Sequence, residues 1–186
     1  MVKIKAIIKI ILVATILKTC IASPLFAEKN NLSNLYADLK NSNAEAALEV
    51  EKEIKRLWEL SGSPSIDFLY EKGKNAYLSG DYKTSIKHYS SVIEFAPDLA
   101  MGWFARSRSY SRIDYDGPAL EDIKKALYLD PNHFYAVLAL GQLLEKLDMP
   151  SLAFKAYQEA LEIHPHFGEA KQLKELIDRS ALDRQI

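Results

Sequence analysis

Cysteine is almost missing from this chain: its 186 residues hold one, Cys20. A single thiol cannot build a disulfide framework, so the fold must rest on apolar packing. Hydrophobic residues make up 48% of the sequence, which is enough for that. Histidine is also sparse. His88, His133, His164 and His166 are the four present, and none forms a His-x-x-x-His pair. With so few Cys and His, the three or four converging ligands of a metal site are not supplied, and the histidines read as solvent-facing turn residues. No glycine-rich phosphate loop occurs. No Ser, His and Asp set comes with the strained turn that presents a nucleophile. Glu51 with Glu53, and Glu121 with Asp122, read as solvated helix charges. The expectation is a non-catalytic protein with no cofactor and no metal.

A long apolar run is missing too. Ile7 to Leu17 is apolar apart from Lys9 and Thr15, too short for the ~18 or more residues of a spanning helix. It follows a positive start with Lys3 and Lys5. Small residues come next, Ala22, Ser23 and then Ala27 before Glu28. That order is the pattern of a secretory signal peptide over residues 1–27. Leu17 stands three residues before Cys20, but Lys18 and Thr19 are poor neighbours for lipid attachment, so a lipoprotein anchor is not expected. Without Lys3, Lys5, Lys9 and Lys18 the remainder carries 20 basic and 25 acidic residues, a net charge of −5. Nucleic-acid binding usually shows a basic surplus, and there is none. The expected location is the bacterial periplasm, with no transmembrane span once the leader is removed.

What the sequence does have is a period. Pro97, Pro131 and Pro165 are spaced by 34 residues twice over, and each closes an apolar helical run. Units 66–99, 100–133 and 134–167 then fall into register. Position 8 is small (Gly73, Ser107, Gly141), as is position 20 (Ser85, Ala119, Ala153). Position 24 is bulky (Tyr89, Ile123, Tyr157), as is position 4 (Leu69, Trp103, Val137). Small residues let two helices approach, and large ones fill the grooves between them. Apolar positions recur at i, i+4 and i+7 on either side of a breaker, so each unit is a helix–turn–helix. Asp81, Asp116 and Asp148 are expected to cap the second helices, and Asp98 and Asn132 the first helices of the following units.

A 34-residue helical hairpin with Trp103, Tyr110, Ala119, Ala126 and Pro131, and again with Leu140-Gly141, Ala153, Tyr157, Ala160 and Pro165, resembles the tetratricopeptide repeat. The resemblance implies an all-α solenoid of three repeats over residues 64–167. A helix pair over 28–63 is expected to act as a degenerate repeat or cap, with Leu32, Leu35, Tyr36 and Leu39 on one stripe and Ala47, Val50, Ile54, Leu57 and Trp58 on the other. A capping helix and tail are expected over 168–186, with Ala170, Leu173, Leu176 and Ile177 turned inward.

The resemblance also implies a ligand groove lined by the first helix of each unit. The positions that match are Tyr70, Lys74 and Tyr77; Met101, Phe104, Arg108 and, one residue beyond the last groove position, Arg112; and Tyr135, Leu138 and Gln142. Tyr, Phe, Met and Arg are enriched at interfaces, and Lys74, Arg108 and Arg112 favour a ligand with some acidic character. The Lys, Asn and Arg clamp of the chaperone-tail subfamily is not matched. The resulting expectation is an exported adaptor that holds a partner protein or peptide in this groove. The alternative is a self-associating structural module that pairs through its N-terminal helices and repeat ends.

Overall fold

The computed structural model describes residues 24–182, and the side chains of 31–169 and 172–179. The expected leader and its Cys20 fall outside that span, apart from Pro24–Ala27, as do residues 183–186. The chain divides between Ser33 and Asn34 into two compact units, and the repeats lie in the second. Nine helices occur among the described residues: α1 (Pro24–Asn41), α2 (Ala44–Trp58), α3 (Pro64–Leu78), α4 (Tyr82–Phe95), α5 (Ala100–Ser111), α6 (Asp116–Leu129), α7 (Phe134–Lys146), α8 (Pro150–Ile163) and α9 (Ala170–Leu182). No strand occurs among these residues, and the fold is a helical solenoid of three hairpins, α3–α4, α5–α6 and α7–α8, with a helix pair before and a capping helix after.

Each hairpin turns in the same way. Position 15 of the units is Gly80, Asp114 and Asp148, and all three take a left-handed backbone with φ of 82°, 59° and 58°. Glycine adopts that conformation without steric cost, and aspartate is among the few residues that tolerate it. The turn therefore places the helix cap one residue later, at position 16. Unit one has Asp81 there, whose carboxylate accepts from the Thr84 N–H at 3.1 Å. The other units have Tyr115 and Met149 there, which make no side-chain cap. Asp116 and Asp148 are thus not the caps that the sequence suggested; Asp116 instead opens α6, where its charge meets the positive end of the helix. Asp98 and Asn132 are displaced likewise. Leu99 and His133 hold those places, and the His133 ring accepts from the Ala136 N–H at 3.2 Å.

Helix approach follows the small-and-large register. A Cβ placed on Gly73 would lie 2.7 Å from the Tyr89 ring, and one on Gly141 would meet the Tyr157 ring closer still. Gly102 lets α5 rest on Val92 in the same manner. The core is built in successive layers: Tyr70, Tyr89, Val92 and Ala105, then Phe104, Ala126 and Ala136, with Ala119, Ile123 and Leu143 beside them. Ser85 and Ser109 meet by a buried hydrogen bond of 2.9 Å between units one and two. Ala119 and Leu143 occupy the same register between units two and three. Buried Phe167 and Leu173 close the C-terminal end.

Two pairs of acidic residues divide differently from the sequence reading. Asp122 is buried and takes a two-pronged contact from Arg106, at 2.7 and 2.8 Å. Glu51 is buried as well. Glu53 and Glu121 remain exposed enough for ordinary surface pairs with Arg56 and Lys124.

Candidate partner-binding groove

The first helices of the three units, α3, α5 and α7, turn their positions 2, 5, 9 and 12 to one side of the solenoid, and the hollow there holds three adjoining cavities. The largest, about 380 Å³, is lined by Met101, Phe104, Arg108, Tyr135, Leu138 and Gln142 among others. A second, about 350 Å³, lies between Tyr77, Arg108, Arg112 and Gln142. The third, about 110 Å³, is bordered by Tyr70, Lys74, Tyr77, Met101 and Arg108. All ten residues singled out from the sequence are therefore brought to one face. Tyr70, Phe104 and Leu138 are 3%, 5% and 6% exposed and form the floor. Arg108, Arg112 and Gln142 stand exposed above it.

The two arginines are held by aromatic rings. Arg108 lies over Tyr77 at 4.6 Å and over Phe104 at 5.9 Å, with a hydrogen bond to the Tyr77 hydroxyl at 3.4 Å. Arg112 donates to the Tyr82 hydroxyl at 3.0 Å and sits over that ring. Neither is in ion-pair range of a carboxylate among the described residues. Stacking fixes a guanidinium plane while leaving N–H donors at its edge. Lys74 is different: Glu59 holds it at 2.9 and 3.0 Å. Burial opposes the Lys74 charge, but Glu59 and Glu71 outweigh it and raise its pKa. Its charge is already matched from within.

Glu59 belongs to the segment that the period could not place. From α2 and its C-terminal cap Glu59, side chains reach all three units: Trp58 meets His133 of unit two, Glu51 meets Tyr135 and His164 of unit three, and Glu59 meets Lys74 of unit one. At mid-helix, Glu51 accepts from the Tyr135 hydroxyl at 2.7 Å and faces the His164 ring nitrogen at 3.2 Å. Two turns on, Trp58 lies flat on His133, with centroids 3.8 Å apart and planes 5° apart. The Trp58 indole N–H donates to Asp130 and to the Tyr36 hydroxyl, each at 2.9 Å, and Tyr36 donates to the same Asp130. Ile54 and Ala47 on the same helix are fully buried. Lys55, Trp58 and Glu59 consequently form a wall of the largest cavity.

His133 and His164 are fully buried, contrary to the solvent-facing placement expected of turn residues. Register explains His133. It shares position 34 with Leu99 and Phe167, an apolar place in the other two units, and the sequence carried that signal. Burial lowers the His133 pKa to about 3. Burial also lowers that of His164, outweighing the pull of Glu51. At Glu51 burial pushes upward, but the Tyr135 and His164 hydrogen bonds and the Lys55 charge carry the carboxyl below its usual range. The Nε2 of His133 and the Nδ1 of His164 have no hydrogen-bond partner among the described residues. Neither ring belongs to a metal site: among the described residues no group of three His, Cys, Asp or Glu could hold an ion.

Set beside known proteins, the chain is similar to a TPR repeat-containing protein of Rhizobium etli, 25% identical over 138 residues that span 74% of this chain and 68% of that one. It is also similar to human tetratricopeptide repeat protein 12, 31% identical over 81% of this chain but only 21% of that protein's length. Among solved structures, the Yersinia enterocolitica type III secretion chaperone SycD in complex with a peptide of the translocator YopD superposes with a TM-score of 0.62. That match is 15% identical and covers 66% of this chain and 96% of the other. No family model matches the chain. No helix among the described residues is long and apolar enough to cross a membrane.

Proposed function

Since this chain is a tetratricopeptide-repeat protein, we propose that it is a non-catalytic adaptor that holds a partner protein or peptide in the groove along α3, α5 and α7. The observation that carries this reading is Arg108. It is an exposed guanidinium held by Tyr77 and Phe104, above a cavity of about 380 Å³ with an apolar floor, and without a carboxylate of its own. Such a site offers an apolar seat and a charge-assisted hydrogen bond side by side, which suits a ligand residue pair of apolar and acidic character. The SycD structure, which contains a YopD peptide, supports peptide holding as a use of this architecture.

The sequence of residues 1–27 adds export to the cell envelope, and the partner is then an envelope protein. Fractionation of the source cells with mass analysis of the mature N-terminus tests that half. A full-length cytoplasmic chain would end it. The groove is tested by a photoreactive amino acid at Gln142, exposed on the groove, against one at Lys124 on α6. A discrete adduct at 142 alone is expected. Adducts at neither position would move the interaction elsewhere on the chain.

A further inference from the structure

Helix α2, a wall of the groove, covers two buried histidines that fasten it. We infer that α2 is an acid-released latch on the groove: protonation of His133 and His164 frees Ala44–Trp58 from the α6–α7 turn, from α7 and from the turn after α8, and opens the side of the groove that Lys55 and Trp58 wall. This rests on the groove being the partner site and describes how access to it is regulated.

Proton positions define the closed state. The His133 Nδ1 accepts from the Ala136 N–H, so the ring proton resides on Nε2, which is buried and unpartnered. A second proton would have to go on Nδ1, opposite the N–H it now accepts from, and would break the cap of α7. Trp58 closes one face of the ring and Phe104 packs at 4.7 Å on another side. On the covering side, Asp130 and Tyr36 are both bonded to the Trp58 indole. At His164, Nε2 faces Glu51 and carries the ring proton, so Nδ1 is bare among the rings of Phe134 and Phe167, and a second proton placed there would find no acceptor among the described residues. The charged and titratable groups around it are Glu51 and Lys55 from α2, Tyr135 from α7, and His166 and Glu169 from the turn after α8. Each ring is thus held neutral by a shell that α2 completes, and lifting α2 opens both to water.

Linkage fixes the sign. A histidine near 6.5 when uncovered and depressed when covered favours the covered state fully above pH 6.5 and progressively less below it. With His133 lowered to about 3, the ratio of closed to open falls about 25-fold between pH 7 and pH 5 from that residue alone. His164 adds in the same direction. Glu51, depressed while latched, begins to add only as pH falls into the ordinary carboxylate range. Acid therefore loosens all three fastenings.

Trp58 reports the event directly. In a Trp103→Phe chain it is the only tryptophan. Its emission is expected to shift to the red between pH 6.5 and 4.5 while the far-ultraviolet helix signal persists. His133→Asn with His164→Gln should flatten that response, since asparagine can still cap Ala136. If the pair of substitutions is not helical at pH 7, His164→Gln alone is read and should lose a measurable part of the shift. Emission that stays constant from pH 7 to 4.5, or an unchanged profile in the variants, would overturn the latch. Capture at Gln142 is measured separately. A red shift without capture at any pH would support the latch and count against the groove reading instead.

Discussion

Replacing Trp58 with alanine removes the largest single tie between the N-terminal pair and the repeats, and its cost can be worked from the contacts. The side chain is 5% exposed, stacks on His133 and tilts against Phe134 at 5.0 Å. Truncating a buried tryptophan to alanine typically costs about 3–5 kcal/mol through lost burial and the cavity left behind. The indole N–H bond to an ionised carboxylate contributes about 1.5–3 kcal/mol of that kind of loss. Asp130 keeps the Tyr36 hydroxyl, which moderates the penalty for the partner left behind. The expected loss is therefore about 4 kcal/mol, against about 2 kcal/mol for Trp58→Phe, which keeps ring packing and loses the donor. For a chain of this length 4 kcal/mol lowers Tm by roughly 8–16 °C. Urea unfolding followed by circular dichroism gives the difference as a shift in midpoint at constant slope. A loss under about 1 kcal/mol for the alanine variant would refute the view that α2 is fastened to the solenoid through Trp58.

Two further substitutions test the packing rules. Gly141→Ala drives a methyl into the Tyr157 ring, so Tyr157 must move off its Glu145 partner; a loss of about 1–3 kcal/mol is expected, and a neutral result in thermal melts would show that the ring yields freely. Arg106→Ala leaves Asp122, with a side chain 6% exposed, without its two-pronged donor. A loss of about 3–5 kcal/mol is expected in urea melts, with the apolar double replacement Arg106→Met, Asp122→Leu recovering most of it. A double variant no better than the single would contradict that assignment.

The solenoid was legible because its information is local and repeated. Pro97, Pro131 and Pro165 mark the period, and the glycines at position 8 answer the tyrosines at position 24 within a single hairpin, sixteen residues apart. The ten groove residues could be named because one register supplies them from three helices. The cover was not legible, because its contacts have no period. Glu51 meets His164 across 113 positions, and Trp58 meets Asp130 across 72. Neither pair follows from an apolar stripe, which says only that α2 buries a face and not which surface receives it. The cap positions slipped by one residue for a different reason. A left-handed turn at position 15 can be seen in Gly80 but is hidden in Asp114 and Asp148, so Asp148 itself looks like a cap, and in unit two Asp116 does, one residue past the true place.

The proposed adaptor role stands on Arg108 and the cavity beside it. Its most direct test is photo-crosslinking from Gln142 in the source cells, with and without Arg108→Glu. Arg108 is exposed and pairs with no carboxylate among the described residues, so reversing its charge should preserve helix content and cost only the ~1 kcal/mol scale of its exposed ring contacts while removing the adduct. An adduct of the same mass and yield in the Arg108→Glu chain would contradict the proposal.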